Sequence, residues 1–208
     1  MKKLVVLLLT SFALFSCGDD DSGAVSGLRP SAVSLNGNVR TYSYDEKGRM
    51  ATVTRFGETA TFHYNDKNQV ETISSPQGAI GFTYDEDGKY ASFTNENGQP
   101  VVLTYVGDDV YTANGETLAF HPNGDWKIYL GGTFEYSSGK GAFANVRHLN
   151  LLALAAIDGE SVYFASKKRQ TSVQIQTQTI PYVTIEGEKG LPESATVSNY
   201  GVSYTYSD

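Results

Sequence analysis

The chain has 208 residues, with 23 acidic and 16 basic side chains, a formal net charge of -7, one cysteine, one tryptophan, 21 glycines and 14 tyrosines. That length is one domain, with or without a tether, and the acidic excess argues against nucleic acid as a partner. A single cysteine excludes an internal disulfide framework, so the core must come from apolar burial, which a chain of this size can supply by removing about 70% of its unfolded surface from water.

Met1-Lys2-Lys3 is a short basic region, and Leu4 to Phe15 is an apolar run broken only by Thr10 and Ser11. About twelve helical residues reach roughly 18 Å, short of a hydrocarbon core of about 30 Å, so residues 1–16 read as a secretory signal and not as a membrane span. Removing Lys2 and Lys3 with the signal brings the net charge to about -9. Leu14-Phe15-Ser16-Cys17 follows at once. It resembles the lipobox of bacterial lipoproteins, which implies cleavage before Cys17, acylation of its sulfur and its new amino group, and attachment to a lipid bilayer without a transmembrane helix. Gly18-Asp19-Asp20-Asp21-Ser22-Gly23 is small, acidic and unable to pack, so residues 17–31 read as a lipidated tether ending near Pro30. Asp19, Asp20 and Asp21 directly behind the cysteine resemble the export signal that places lipoproteins of Bacteroides-type bacteria on the outer face of the outer membrane. A spacer on the periplasmic side is the alternative.

Residues 32–208 read as a single β-repeat domain. Tyr42-Ser43-Tyr44-Asp45, Phe62-His63-Tyr64-Asn65 and Phe82-Thr83-Tyr84-Asp85 align, and weaker copies follow at Tyr105, Phe120 and Tyr136. A period of about twenty residues is an internal repeat. Alternation puts both aromatics of a unit on one face, and the Asp, Asn and Gly that follow supply the turn, so each unit predicts a hairpin. The spacing of Met50 and Val53 breaks alternation and predicts a bulge or a change of face in the second strand of the first unit. Ala144 to Ile157, rich in leucine and alanine, predicts an apolar helix with Asn145 as its cap and Asp158-Gly159 as its stop. Strands are expected again over Ser161–Ser166, Ser172–Thr179, Tyr182–Glu186 and Val197–Tyr206. The expected fold is mainly β: an antiparallel meander of hairpin repeats forming a curved sheet or open barrel, with the helix packed into its concave side.

The segment Arg40-Thr41-Tyr42-Ser43-Tyr44-Asp45-Glu46-Lys47-Gly48-Arg49-Met50 resembles the YD repeat of the Rhs family. From Tyr42 to Tyr206 the chain also resembles a family of small Bacteroides-type lipoproteins of unknown function, through its lipobox, acidic tether and degenerate hairpins, Asn145 near the start of the helix, Gly190-Leu191-Pro192 and Tyr204-Thr205-Tyr206. That resemblance implies an envelope location and brings no catalytic residue with it.

No catalytic set, metal site or cofactor motif follows from the sequence. His63, His121 and His148 lack metal-ligand spacing, and the acidic stretches at Asp85-Glu86-Asp87-Gly88 and Asp108-Asp109 have the composition that turns demand. Trp126, alone after Gly124-Asp125, is the candidate exposed stacking residue for a ligand, and a glycan or another envelope protein is the expected partner. Tyr44, Tyr64 and Tyr84 follow the turn period and read as core. The alternative function is an envelope hydrolase that draws on dispersed carboxylates such as Glu58, Glu71, Glu116 and Glu135.

Overall fold

The computed structural model describes residues 26–94 and 97–208. Cys17, Asp19, Asp20 and Asp21 lie outside the described residues. Within them the strands are β1 (Arg29–Leu35), β2 (Asn38–Tyr44), β3 (Met50–Arg55), β4 (Glu58–Tyr64), β5 (Val70–Ser75), β6 (Gly78–Tyr84), β7 (Tyr90–Thr94), β8 (Pro100–Val102), β9 (Thr104–Gly107), β10 (Val110–Ala113), β11 (Glu116–Phe120), β12 (Trp126–Tyr129), β13 (Gly132–Lys140), β14 (Lys168–Ile175), β15 (Gln178–Glu186), β16 (Pro192–Val197) and β17 (Tyr200–Ser207). A single α-helix, α1 (Leu151–Ile157), and 3-10 turns at Gly159–Tyr163 and Glu188–Gly190 complete the described elements. The tether boundary expected at residue 31 falls inside β1, which begins at Arg29.

Sequence neighbours pair in antiparallel fashion around the sheet, and β17 pairs with β1, so the meander rolls into a nearly closed barrel. The seam lies where β8, paired with β7, passes through Leu103 into β9, which pairs with β10. Rolling the sheet up removes most of the open edge that a long meander would otherwise expose to aggregation.

The twenty-residue repeat has a mechanical cause. Ser43 faces Thr52 while Tyr44 faces Met50, leaving Ala51 as an extra residue. This is the bulge that Met50 and Val53 predicted. The same slip leaves Glu71 extra between β4 and β5, Ala91 between β6 and β7, Ser31 between β17 and β1, and Glu193 between β15 and β16. Each bulge turns the residue before it (Met50, Val70, Tyr90, Pro30 or Pro192) toward the core and adds local twist, which lets so many strands curl. Tyr44, Tyr64, Tyr84 and Tyr206 then donate their phenols to the carbonyls of Pro30, Met50, Val70 and Pro192, each fourteen residues back, at 2.7–2.8 Å. These tyrosines therefore brace the wall, as the core reading expected.

Antiparallel pairing sorts the connections between two ends of the barrel. Two-residue loops such as Asn36-Gly37, Phe56-Gly57, Pro76-Gln77, Asn114-Gly115 and Leu130-Gly131 form the hairpin end. The longer turns around Asp45, Asn65, Asp85 and His121 form the turn end. In those turns a side-chain oxygen takes backbone N–H groups: Asp45 from Lys47 and Arg49, Asn65 from Lys67 and Gln69. Arg29, where β1 starts, also lies at the turn end, paired with Ser207.

Between β13 and β14 the chain leaves the wall and runs through the interior. Gly141 makes this departure possible, because any Cβ there would meet the carbonyl oxygens of Ser166 and Lys168 at 2.4 and 2.6 Å. The helix is shorter than expected and starts later. His148 has a left-handed backbone (φ 47°) that breaks the predicted segment, and Asn150 is the residue that caps α1, accepting from the N–H of Ala153 at 2.9 Å. Asn145 instead donates to the carbonyl of Leu28 at 2.8 Å and pins the entry of the barrel. Leu151, Leu152, Ala153, Leu154 and Ala155 are all buried. A helix apolar on every side requires a surrounding wall, and β2 to β6 contribute Tyr42, Val53, Phe62, Ile73 and Phe82 to the same core. The strand expected over Ser161–Ser166 is the 3-10 turn Gly159–Tyr163 and the return segment after it. Asp158 closes α1 with its backbone N–H and caps the 3-10 turn with its carboxylate, so extended pairing never starts there.

Candidate functional site

The outward face of β2 to β7 is hydroxyl-rich. Ser43 bonds Thr52 at 2.7 Å, Thr54 bonds Thr59 at 2.8 Å, His63 bonds Ser74 at 3.0 Å and Thr83 bonds Ser92 at 2.7 Å across neighbouring strands. Tyr42, Val53, Phe62, Ile73 and Phe82 point inward, and Val39 is an exposed apolar exception on β2. A barrel whose wall faces lipid requires the opposite arrangement. Among the described residues no helix is long and apolar enough to cross a membrane.

Trp126 is corrected by the structure: it is fully buried, at 0% exposure, and offers no surface for a sugar to stack on. Alternation places it inward opposite Phe120, with the rings stacked at 4.6 Å, and Tyr129 stacks on it at 4.2 Å. The turn before it is also anchored from inside. The buried carboxylate of Asp125 accepts backbone N–H groups from Lys167 and Lys168 at 2.6 and 2.8 Å, tying the turn to the chain returning from the interior. Burial raises the Asp125 pKa and those donors pull it back, while burial lowers that of Lys167.

A charged cluster sits between the wall and the end of α1. Arg40, fully buried on β2, donates from Nε to Asp158 Oδ2 at 2.7 Å, and to Glu160. Arg55 on β3 reaches the same two carboxylates at 3.1 and 3.5 Å. Two guanidinium groups thus face two carboxylates, a balanced arrangement in which burial is tolerable. Asp158 is held as an ion-paired helix end.

Two cavities open at the barrel mouths. At the turn end, a space of about 280 Å³ is lined by Lys89, Asp109, His121, His148 and Asn150 among others. Lys89 pairs there with Asp109 at 2.6 Å, and Asn150 reaches the Tyr84 phenol at 3.4 Å as well as capping α1, while His121 Nε2 is buried without a hydrogen-bond partner among the described residues. At the hairpin end, a space of about 240 Å³ lies against the C-terminus of α1, lined by Arg55, Phe56, Glu58, Thr59, Ser75, Gln77 and Gly78, with Val53, Ala60, Ile80, Ala156 and Ile157 as its apolar part. The repeat explains the room. Ala60 stands where the first unit has Arg40 and the third has Ile80, and Gly78 stands where earlier units have Asn38 and Glu58.

At this second mouth Phe56 occupies a conformation unsuited to its side chain. Its φ is 52°, left-handed, and it is 67% exposed. Asn36 and Asn114, which suit that backbone, fill the same place before glycine in sister hairpins. The guanidinium of Arg55 lies 4.7 Å from the Phe56 ring centre, and Glu58 accepts a hydrogen bond from Gln77 across the mouth. The sequence reading considered Glu58 only as a scattered carboxylate. Phe56-Gly57 in a turn position where Asn-Gly is normal was the available signal.

Of the other dispersed carboxylates, Glu71, Glu116 and Glu135 are exposed on β5, β11 and β13, and none of them lines either mouth cavity. Among the described residues no three His, Cys, Asp or Glu side chains gather to hold a metal ion.

No family model and no curated protein matches this chain. Among solved structures, a porin-like protein from Bacteroides uniformis ATCC 8492 aligns with 86% of this chain and 98% of its own, at 15% identity and a TM-score of 0.42.

Proposed function

We propose that this protein is a lipid-anchored protein of the bacterial cell envelope, displayed at the outer-membrane surface, that binds a glycan or another envelope protein through its hairpin end and catalyses no reaction. The observation that carries this reading is the filled lumen. With α1 and its return segment inside the wall, the interior is packed among the described residues, which supports recognition at the rims over conduction of a solute. The described chain enters the barrel at the turn end, where Arg29 pairs with Ser207, which supports reading the opposite, hairpin end as the recognition surface. The hydrolase reading draws less support. Glu58 and Asp158 line one cavity, yet Asp158 is already held by Arg40 and Arg55, and a carboxylate so engaged is poorly placed to act as nucleophile or general acid.

Intact-mass analysis of membrane-extracted protein tests the anchor: Cys17 is expected to carry two or three acyl chains, and Cys17→Ser to escape normal processing. Unmodified mature protein in the soluble fraction would overturn it. Protease shaving of intact cells tests display, with removal of the domain expected for the native chain and protection for a chain in which Asp19, Asp20 and Asp21 are alanine. Equal protection of both chains would place the protein on the periplasmic side.

A further inference from the structure

We infer that the hairpin-end cavity is a binding site for one ring of a neutral saccharide, with Phe56 as its stacking platform. The inference rests on the binding-module reading and adds the site and the chemistry of its ligand.

Four observations converge on that mouth. A phenylalanine is kept exposed and in left-handed backbone at a turn where asparagine fits without strain, and a strained, solvent-facing aromatic contributes little to stability. The Arg55 guanidinium covers part of the ring and is itself fixed by Asp158 and Glu160, so the platform is steadied from behind before any ligand arrives. Arg55 Nε is buried and makes no hydrogen bond within the described residues, so this lining residue carries one unmatched donor. The remaining polar lining, Glu58, Gln77 and Ser75, combines acceptors and donors over an apolar floor of Ala60, Ile80 and Ile157. A sugar ring has that character, with C–H faces that lie against an aromatic ring and hydroxyls around its edge that both give and take hydrogen bonds.

Charge selects among sugars. The Arg55 cation is already matched by Asp158 and Glu160, and Glu58 adds a further negative charge on a chain of net charge -7. Uronates, sialates and phosphorylated sugars are therefore repelled, and neutral hexoses and N-acetylhexosamines are favoured.

The test uses the full chain in detergent micelles on an array carrying neutral hexose- and N-acetylhexosamine-terminated oligosaccharides beside uronate- and sialate-terminated ones. Binding to neutral glycans is expected. Phe56→Asn should weaken it at least about tenfold while raising the melting temperature, since asparagine relieves the backbone strain. Leu130→Asn is the control. Leu130 is also exposed and left-handed, before Gly131, but lies off the cavity, so the same substitution there should raise stability and leave binding unchanged. Glycan binding that survives Phe56→Asn overturns this site and leaves the wider binding reading standing. Failure to bind any neutral saccharide, or binding of acidic glycans alone, overturns the saccharide assignment, while the shaving experiment decides display independently.

Discussion

The Tyr206 phenol donates to the carbonyl of Pro192 at 2.7 Å, over the same fourteen-residue step that joins Tyr44 to Pro30 at the other end of the chain. Because β17 pairs with β1, the last brace lies beside the first, and Tyr206 faces Pro30 across the closing ladder. The closing strands thus repeat the geometry of the opening unit, and the barrel shuts on matching surfaces.

The braces predict a uniform, modest cost for removing one phenol. Tyr64→Phe keeps the ring under the Arg49 guanidinium, 4.1 Å away, and deletes only the bond to the Met50 carbonyl at 2.8 Å. The loss should be about 0.5–1.5 kcal/mol in denaturant melts, the usual net value of one hydrogen bond. A loss several times larger would mean that the phenol holds the bulge in place and does not merely satisfy a carbonyl.

How much of this was legible follows from the same residues. The aromatic period, the turns and the first bulge were readable because each twenty-residue unit pairs locally, so sequence spacing maps directly onto space. The final unit was legible only as a closing segment, although Pro192 and Tyr206 keep the step of Pro30 and Tyr44: Glu188-Lys189-Gly190 repeats the Glu46-Lys47-Gly48 of the first turn, but Gly187 stands where that turn has Asp45, and the unit lies far along the chain from the other copies. The helix start was misplaced because Ala142, Phe143 and Val146 are as buried as α1 itself. Composition reports burial, and only the backbone of His148 reveals that the chain is not yet helical there. Trp126 was misjudged because the turn at Asp125 folds inward onto the returning chain, a contact made across more than forty residues.

The Arg40 and Asp158 pair predicts strong non-additivity. Arg40→Met alone leaves a buried carboxylate short of its partner and should cost about 3–5 kcal/mol, whereas Arg40→Met with Asp158→Leu removes both charges and should recover much of that loss. A double-mutant cycle measures the coupling. Ile80 fills the equivalent position in the third unit, so the wall accepts an apolar side chain there. Additive losses would show that Arg55 and Glu160 carry the cluster without Arg40.

Alkaline pH provides a third test. Burial pushes the phenols of Tyr44, Tyr64, Tyr84, Tyr136, Tyr182, Tyr204 and Tyr206 above their ordinary value of 10.0. A phenol raised in the folded chain keeps its proton at a pH where the unfolded chain has released it. The stabilising contribution is therefore complete below about pH 10 and is lost as pH climbs past it. Phenolate absorbance should stay low above pH 10 and then rise together with the loss of β-sheet circular dichroism. Smooth titration of these phenols near pH 10 in a folded protein would contradict their burial.

The helix decides the architecture. Leu152 and Leu154 are 4% and 0% exposed within a wall contributed by many strands and braced at four places by a tyrosine bonded to a bulge carbonyl, so the cavity left by truncation cannot easily collapse. Leu152→Ala should cost about 2–5 kcal/mol, and Leu152→Asp, which would bury an unpaired charge, should prevent folding. A leucine on an external helix would lose less than about 0.5 kcal/mol on the same change. Denaturant unfolding with an unchanged slope separates the two cases, because a shifted midpoint at constant slope reports stability alone. A small loss would open the lumen and make its tyrosine-lined wall available to ligands, and the rim would no longer be the place to look for function.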